Sequence, residues 1–437
     1  MRKLPTIAFG LVLAGAALAA CGGDDSKQVK YPGHEDGGTT EGTSEVTTGG
    51  GNAGAVVGVT EGPSQHADMA SDAKGSYDKG FQAWTSGDLP TAKTAFREAT
   101  TQDPKAAAAY YSLGCVLERL GDNAGAQQAF RQAFTVKSDY ELAMGAYALN
   151  LAQTGHQGEA DTFLTDKHHK FPDSARIETY LAEVKSLEKD SSGAQQLAQD
   201  ALRIDPNYKD AMIVIARDHY RNGRAELAKY ALQAVLEGFG QASPARDPGN
   251  AEALLLRGLI EREAGQRIAA LKDFDAARAK RPDLVEATVQ VAAMKLEAGN
   301  AQEAQPLLES AVKFAPQSAI AHMNLGDCYR LLSRWADAKK ELDTALSFDS
   351  TLASAHYAMG LMYRYAPSFP GMSNKDQANA ALREFKTYLQ MRGPKAPPGV
   401  SDDIDDLIAG AQDHVNELNM PAATATPAPT GSAKKKP

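Results

Sequence analysis

The sequence is poor in cysteine, tryptophan and aromatic side chains in general. Among its 437 residues are three cysteines, two tryptophans and only 7% aromatic residues. Three cysteines cannot form the disulfide framework of a small secreted domain. The formal net charge of −9 argues against a basic face for a phosphate backbone, so we expect no nucleic-acid partner. The length suits two or three ordinary domains or one elongated array.

Sequence motifs that carry catalysis are missing too. There is no His-Glu-x-x-His, no phosphate-binding loop ending in Gly-Lys-Ser/Thr, no Gly-x-Ser-x-Gly and no Cys-x-x-Cys. The adjacent His168 and His169 point apart on a helix and need further ligands to hold a metal. His322 and His356 occupy packing positions or, alternatively, form a pair of ligands. We therefore predict no enzymatic activity, no metal and no cofactor.

The N-terminus has the pattern of a secretory signal peptide over residues 1–20. Arg2 and Lys3 precede an apolar, alanine-rich run that ends in small residues. The following stretch, Leu18-Ala19-Ala20-Cys21, resembles the bacterial lipobox. That resemblance implies that Cys21 is lipidated, and the glycine after it implies the outer membrane of a Gram-negative cell, on the periplasmic face. The alternative is a plain signal peptide with a chance cysteine.

Two segments have the composition of disordered chain. Residues 21–72 are rich in Gly, Thr, Ser and acidic residues, with almost no large apolar group to offset the entropy of ordering. We predict that they form a flexible tether behind Cys21. Residues 421–437 are rich in Pro, Ala and Thr and end in three lysines, which predicts a disordered tail. The alternative for these lysines is a weak contact with an anionic polymer or lipid.

Between these segments, small residues recur at intervals of 34. A second small residue follows 12 positions after the first, and a large apolar residue stands four further on in most units, as Phe130 does for Gly114. The spacing is interrupted once, by eight residues, between the fifth and sixth units. The first small residues are Gly80, Gly114, Ala148, Ala182, Ala216, Gly258, Ala292, Gly326 and Gly360.

This period resembles the tetratricopeptide repeat (TPR). The resemblance implies an all-α, right-handed α-solenoid of about nine helix-turn-helix units over residues 73–393, with insertions near 238–247 and 366–374. The small residues let paired helices approach, and the large one fills the gap between them. In such an array each unit is expected to contact only its neighbours, which keeps Cys115 and Cys328 apart. Residues 394–420 are predicted to contain a capping helix, begun by Ser401 and apolar on one face.

By the same resemblance, the first helix of each unit lines a concave groove that binds proteins. Tyr, Trp and Arg are the usual hot-spot residues of interfaces, and an Arg/Tyr row on an acidic protein suggests a partner with extended or acidic segments. Alternatively, the aromatic residues of the first unit pack against the tether or seal the open end of the array. The arginines are then solvated or pair with Glu252, Glu263 and Asp327. The predicted groove residues are Tyr77, Phe81, Trp84, Tyr111, Arg217, Tyr220, Arg221, Arg262, Arg330, Tyr357 and Arg364.

The overall layout resembles that of TPR lipoproteins of the cell envelope. Such proteins assemble secretins and pili, serve as adaptors of cell-wall hydrolases, or belong to trans-envelope machines such as the myxobacterial gliding apparatus. We predict a non-enzymatic, membrane-anchored scaffold that is a subunit or assembly factor of such a machine. The alternatives are a regulator of cell-wall enzymes, an enzyme or metal protein built on the array, and a self-associating structural element.

Overall fold

The computed structural model describes residues 69–369, 371–392 and 403–420. Within these ranges the chain forms nineteen α-helices and no β-strand. No helix there is both long and apolar enough to span a bilayer. The predicted signal peptide, Cys21, most of the tether and the C-terminal tail lie outside the described residues. The helices are α1 Ser71–Thr85, α2 Leu89–Gln102, α3 Ala107–Arg119, α4 Asn123–Val136, α5 Glu141–Gln153, α6 Gln157–Lys170, α7 Ala175–Leu187, α8 Ser191–Ile204, α9 Lys209–Arg221, α10 Ala225–Leu236, α11 Ala251–Glu263, α12 Arg267–Lys280, α13 Val285–Glu297, α14 Ala301–Phe314, α15 Ala319–Leu331, α16 Trp335–Phe348, α17 Ala353–Tyr365, α18 Asn374–Arg392 and α19 Ile404–Asn419.

The first eighteen helices form nine consecutive pairs, and α19 follows them. Each odd-numbered helix packs on the even-numbered helix after it, and each pair packs on the next pair. Odd-numbered helices of neighbouring pairs also touch, as α5 does α7 and α7 does α9. In a curved stack, the helices on the inner side approach each other more closely than those on the outer side, so the odd-numbered helices lie on the inside. The predicted all-α solenoid is therefore confirmed, with the odd-numbered helices as its concave layer.

The recurring small residues form the contact between the two helices of a pair. At Gly114 a Cβ atom would lie 2.5 Å from the ring of Phe130, and at Gly258 it would lie 2.6 Å from the ring of Phe274. Both rings are completely buried. Each ring therefore packs directly on the backbone of the facing helix, as the alternation of small and large residues predicts.

The turns inside the pairs use backbone conformations that suit particular residues. Gly87 and Gly121 have φ angles of 73° and 74°, which glycine adopts without steric cost. In the fourth and eighth units the same turn is made by Lys189, with φ 66°, and Ser333, with φ 59°. Second helices often start with a capping aspartate, such as Asp122, whose carboxylate accepts a hydrogen bond from the Gly125 amide at 3.0 Å.

The array curves far enough to contact itself, which corrects the expectation that each unit touches only its neighbours. The Lys313 ammonium donates a hydrogen bond to the Ser86 carbonyl at 2.7 Å, 227 positions away in sequence. Gln317 donates to the Leu120 carbonyl at 2.7 Å. The Arg119 guanidinium donates a hydrogen bond to the Asp283 carbonyl, between α12 and α13, at 3.0 Å. The turns of the first two units thus rest on the junctions around α13 and α14.

The two insertions and the C-terminal helix complete the described chain. In the first insertion the ring of Phe239 packs at a tilt on the ring of Tyr230, with 5.0 Å between centroids. In the second, Phe369 is buried against Tyr363 at 5.2 Å, and α18 then begins at Asn374. Helix α19 packs on α18 and buries its apolar face. The proposed cap Ser401 lies outside the described residues. The buried residues of α19 are Ile404, Ala411 and Val415.

Candidate protein-binding groove

The aromatic residues of the first two units belong mainly to the core of the array. Tyr77 is completely buried, its hydroxyl lies 3.2 Å from the Ser112 hydroxyl, and its ring packs on Phe96 at 5.3 Å. Trp84 and Tyr111 each expose only 3% of their surface. These three side chains therefore belong to the core of the first units and do not line an open groove. Phe81 is the one of the four that remains partly exposed.

The middle of the concave layer holds a chain of ion pairs that links successive units. The Arg217 guanidinium donates to Glu183 at 2.7 Å and to Glu252 at 2.9 Å, so it joins three units. Arg221 donates to the other oxygen of Glu183 at 2.7 Å and to the Ser186 hydroxyl at 2.9 Å. Arg217 exposes only 5% of its surface. Both predicted groove arginines thus bind carboxylates of the chain itself.

The two glutamates that flank Arg217 have opposite pKa shifts. Burial acts to raise the pKa of the Glu183 carboxyl, but the guanidiniums of Arg217 and Arg221 outweigh it and hold that pKa below its ordinary value. At Glu252 burial prevails over the attraction of Arg217 and Arg281, so its pKa is raised. The Glu183 end of the cluster is therefore the more strongly ionised one.

The remaining polar groove residues of the fifth, sixth and eighth units also bind carboxylates of the chain. The Tyr220 hydroxyl donates to Glu263 at 2.5 Å, and burial together with this carboxylate raises its pKa. Arg262 donates to Glu297 at 2.7 Å. Arg330 donates to Asp327 at 2.7 Å. The pairing with own-chain carboxylates thus extends beyond the fifth unit.

In the ninth unit, Tyr357 contacts the start of the C-terminal helix. Its hydroxyl lies 3.1 and 3.2 Å from the two carboxylate oxygens of Asp403, and its ring packs on Tyr388 at 5.0 Å. Burial and the adjacent carboxylate raise the pKa of Tyr357. This groove position is therefore occupied by an acidic residue from the chain's own C-terminal segment.

Arg364 differs from the other predicted groove arginines. It forms no ion pair or hydrogen bond with any residue that the structure describes, and it lines a cavity of about 230 Å³. The cavity lies between α17, α18, α19 and the second insertion. Its wall comprises Tyr363, Arg364, Ala366, Pro367, Asn374, Gln377, Ala378, Ala381, Ala411 and His414.

The two cysteines within the array are buried, and two of its histidines lie beside glutamates. Cys115 and Cys328 are buried free thiols, and burial raises the pKa of Cys328 to about 12. His322 lies 2.6 Å from Glu341, and His356 lies 2.8 Å from Glu384. Across the described ranges no three His, Cys, Asp or Glu residues come together as a metal site.

Sequence reasoning missed the two carboxylates that bind most of these arginines, Glu183 and Glu297. The repeat period contains a signal for the first. Glu183 and Arg217 stand 34 positions apart, at the same place in successive units, so opposite charges at equivalent positions predict a contact between units. Arg262 and Glu297 are 35 positions apart, one place off that register.

Family models for the tetratricopeptide repeat match three stretches of the chain. One model matches residues 295–361, and a second matches residues 77–153 and 213–285. Tetratricopeptide repeats are thus found near both ends of the array and in its middle. Among curated proteins, none matches the chain.

Several solved structures are similar to this chain. The APC/C hetero-tetramer Cut9–Hcn1 contains a chain that superposes with a TM-score of 0.53 at 14% identity; the match covers 78% of this protein and 64% of that chain. The P58(IPK) TPR domain gives a TM-score of 0.28 at 14% identity, with coverages of 80% and 99%. YrrB, described as a TPR protein with an unusual peptide-binding site, gives 0.32 at 18% identity, with coverages of 45% and 96%. The likeness to the first of these supports the fold.

Proposed function

We propose that this array of tetratricopeptide repeats is a non-enzymatic scaffold that binds other proteins in the bacterial cell envelope. The observation that carries the proposal is the continuous stack of nine helix pairs within the described ranges, in which each unit adds surface to one concave layer. Folds of this kind present extended surfaces for docking. The family likeness supports protein partners in general.

We infer where a partner would dock from which groove residues are already paired within the chain. In the middle of the concave layer, buried ion pairs already satisfy Arg217 and Arg221, so a partner would have to break these pairs before it could use the arginines. Arg262 is partly exposed as well but is paired with Glu297. Phe81 and Arg364, toward the two ends of the array, are partly exposed and form no ion pair with a described residue. We therefore propose that partner contacts concentrate at the ends of the array.

Membrane attachment is part of the proposal and rests on the lipobox-like residues before Cys21. A lipid on this cysteine, followed by a tether of about fifty residues with a reach of ~40 Å, would hold the array near the membrane. We propose the periplasmic face of the outer membrane and a role in a trans-envelope machine for motility, pili or secretion. An adaptor of cell-wall enzymes is the second form of this function.

Cys21→Ser tests the anchor. The variant should leave the membrane fraction, because the covalent attachment site for the lipid is lost, while its helical content stays unchanged. The matched control is Cys115→Ser, which removes a buried thiol and should leave the protein on the membrane. Retention of the Cys21 variant on membranes would overturn the anchor and leave the binding role standing.

Site-directed photo-crosslinking in the native envelope tests the scaffold. A photoreactive residue at Phe81 or Arg364 should form specific adducts with partner proteins. The same residue at Lys272, on the outer helix α12, should form few. Equal labelling from all three positions, or none from any, would count against an end-of-groove binding role. Turnover in a hydrolase panel, or melting that shifts with a chelator, would instead favour an enzyme or metal protein.

A further inference from the structure

The cavity beside Arg364 is lined by a guanidinium that has no carboxylate partner among the described residues. Arg217, Arg221, Arg262 and Arg330 each bind a carboxylate of the chain at 2.7 Å. Arg364 is half-buried yet has no such partner among the described residues. A partly desolvated guanidinium has lost water without gaining an acceptor, so an anion that enters the cavity would recover that loss.

Other groups around the cavity can recognise an anion together with Arg364. His414 of α19 and Asn374 of α18 also line it, and both carry N–H donors. The His414 ring lies 3.7 Å from the Glu417 carboxylate, beyond hydrogen-bond distance. Gln377 does not compete for a ligand, because it already donates to two carbonyls, those of Tyr363 at 3.0 Å and Ala366 at 2.7 Å.

Small side chains keep the space open. Ala378, Ala381 and Ala411 form the apolar part of the wall. Helix α19 passes the guanidinium with Gly410, where an added Cβ would lie 3.7 Å from the Arg364 Nη2 atom. The cavity of about 230 Å³ is smaller than the roughly 300–1,000 Å³ of typical small-molecule sites, so it suits a single amino-acid residue.

We propose that this cavity binds a carboxylate carried by a peptide segment of the partner protein, with Arg364 as the principal ligand group. The proposal rests on the protein-binding function proposed above and names a recognition site for it. A carboxylate matches the flat fork of the guanidinium. The Glu417 carboxylate, 3.7 Å from the cavity-lining His414, disfavours a doubly charged anion more than a singly charged one.

Ligand-observed NMR with the full-length protein and short peptides tests the site. The probes are acetyl-Gly-Gly-Asp-Gly-Gly-amide, with an internal carboxylate, and acetyl-Gly-Gly-Ala as the free acid, with a terminal one. The neutral control is acetyl-Gly-Gly-Asn-Gly-Gly-amide. We expect at least one acidic probe to bind. The neutral probe should bind with an affinity that is lower by a factor of roughly ten or more. The acidic probe that binds more tightly identifies the source of the carboxylate.

Variants link the binding to the cavity. Arg364→Gln should lower the affinity for the preferred acidic probe roughly tenfold or more, and Arg364→Lys should restore part of it, because the charge returns without the fork. Arg383→Gln, which removes an exposed arginine of α18, is the matched control and should change nothing. The circular dichroism spectra of the variants and the wild type should be the same, because Arg364 forms no ion pair or hydrogen bond with any described residue.

Three results would overturn the proposal: no binding of either acidic probe, equal binding of the neutral probe, or unchanged affinity in Arg364→Gln. None of them bears on whether the array binds proteins. If crosslinking from Phe81 still captures a partner while the acidic probes fail to bind, the scaffold function stands and the cavity is not its carboxylate site. If crosslinking fails as well, the proposed binding role of the two ends of the array is also wrong.

Discussion

Glu183 and Arg217 occupy the same position in two successive repeats and form a buried ion pair of 2.7 Å across the boundary between them. The side chain of Glu183 is only 1% exposed and that of Arg217 is 7% exposed. A pair this deep contributes stability only while both partners are present, because a single buried charge is costly. This contact therefore links the units as well as shaping the groove.

Glu183→Gln should destabilise the protein strongly. The substitution leaves the Arg217 and Arg221 guanidiniums facing a neutral amide, and the loss of one partner of a buried pair costs about 3–5 kcal/mol. Thermal unfolding followed by circular dichroism measures the effect. Glu226→Gln, which removes the 85% exposed partner of Lys229, should change the midpoint little. A midpoint for Glu183→Gln that matches this control would contradict the structural role of the pair.

Acid should weaken the protein partly through Glu183. Its pKa in the folded state lies below the ordinary value of 4.5, so the unfolded chain takes up this proton first as the pH falls. The stability from this carboxyl is therefore fully present above pH 4.5 and is lost as the pH drops through the folded-state pKa. Melting temperatures between neutral pH and pH 3 should fall more steeply for the wild type than for Glu183→Gln. Parallel curves would contradict the shift.

Lys189→Gly should stabilise the protein by about 1 kcal/mol. Lys189 is exposed and has φ 66°, a left-handed conformation that costs a residue with a side chain roughly 1–2 kcal/mol. Glycine removes this cost, but the larger entropy of the unfolded glycine chain offsets part of the gain. Ser333→Gly should act in the same direction. The converse variant, Gly223→Ala at φ 69°, adds a Cβ in open space and should destabilise through the backbone alone. Denaturant midpoints for the three variants provide the measurement.

The contact between the early and late units should control how tightly the array is wound. Combined Lys313→Ala and Gln317→Ala substitutions remove two hydrogen bonds to the turns of the first two units, each contributing about 0.5–1.5 kcal/mol. Small-angle X-ray scattering should show a larger radius of gyration with unchanged helicity. Lys340→Ala, at an exposed position on α16, is the control. An unchanged scattering curve for the double variant would show that these bonds do not hold the curvature.

Much of the local architecture could be read directly from the sequence. Pairs such as Gly114 and Phe130 recur at a constant spacing. The glycine lets the two helices approach, and the ring fills the space between them. The period therefore predicts both the helix pair and its core. The resemblance to the tetratricopeptide repeat also implied the concave position of residues such as Arg217. It did not imply their accessibility, because that depends on which carboxylates of neighbouring units reach them.

The sequence by itself determined the nine-unit helical array, because its small and large residues meet within one unit or between adjacent ones. Only the tertiary structure decided that Ser86 meets Lys313, that the groove arginines are mostly self-paired and that Arg364 is left beside a cavity. The physical reason is that small rotations between units add up along the array. Contacts more than two hundred residues apart depend on that sum, and no local spacing encodes it.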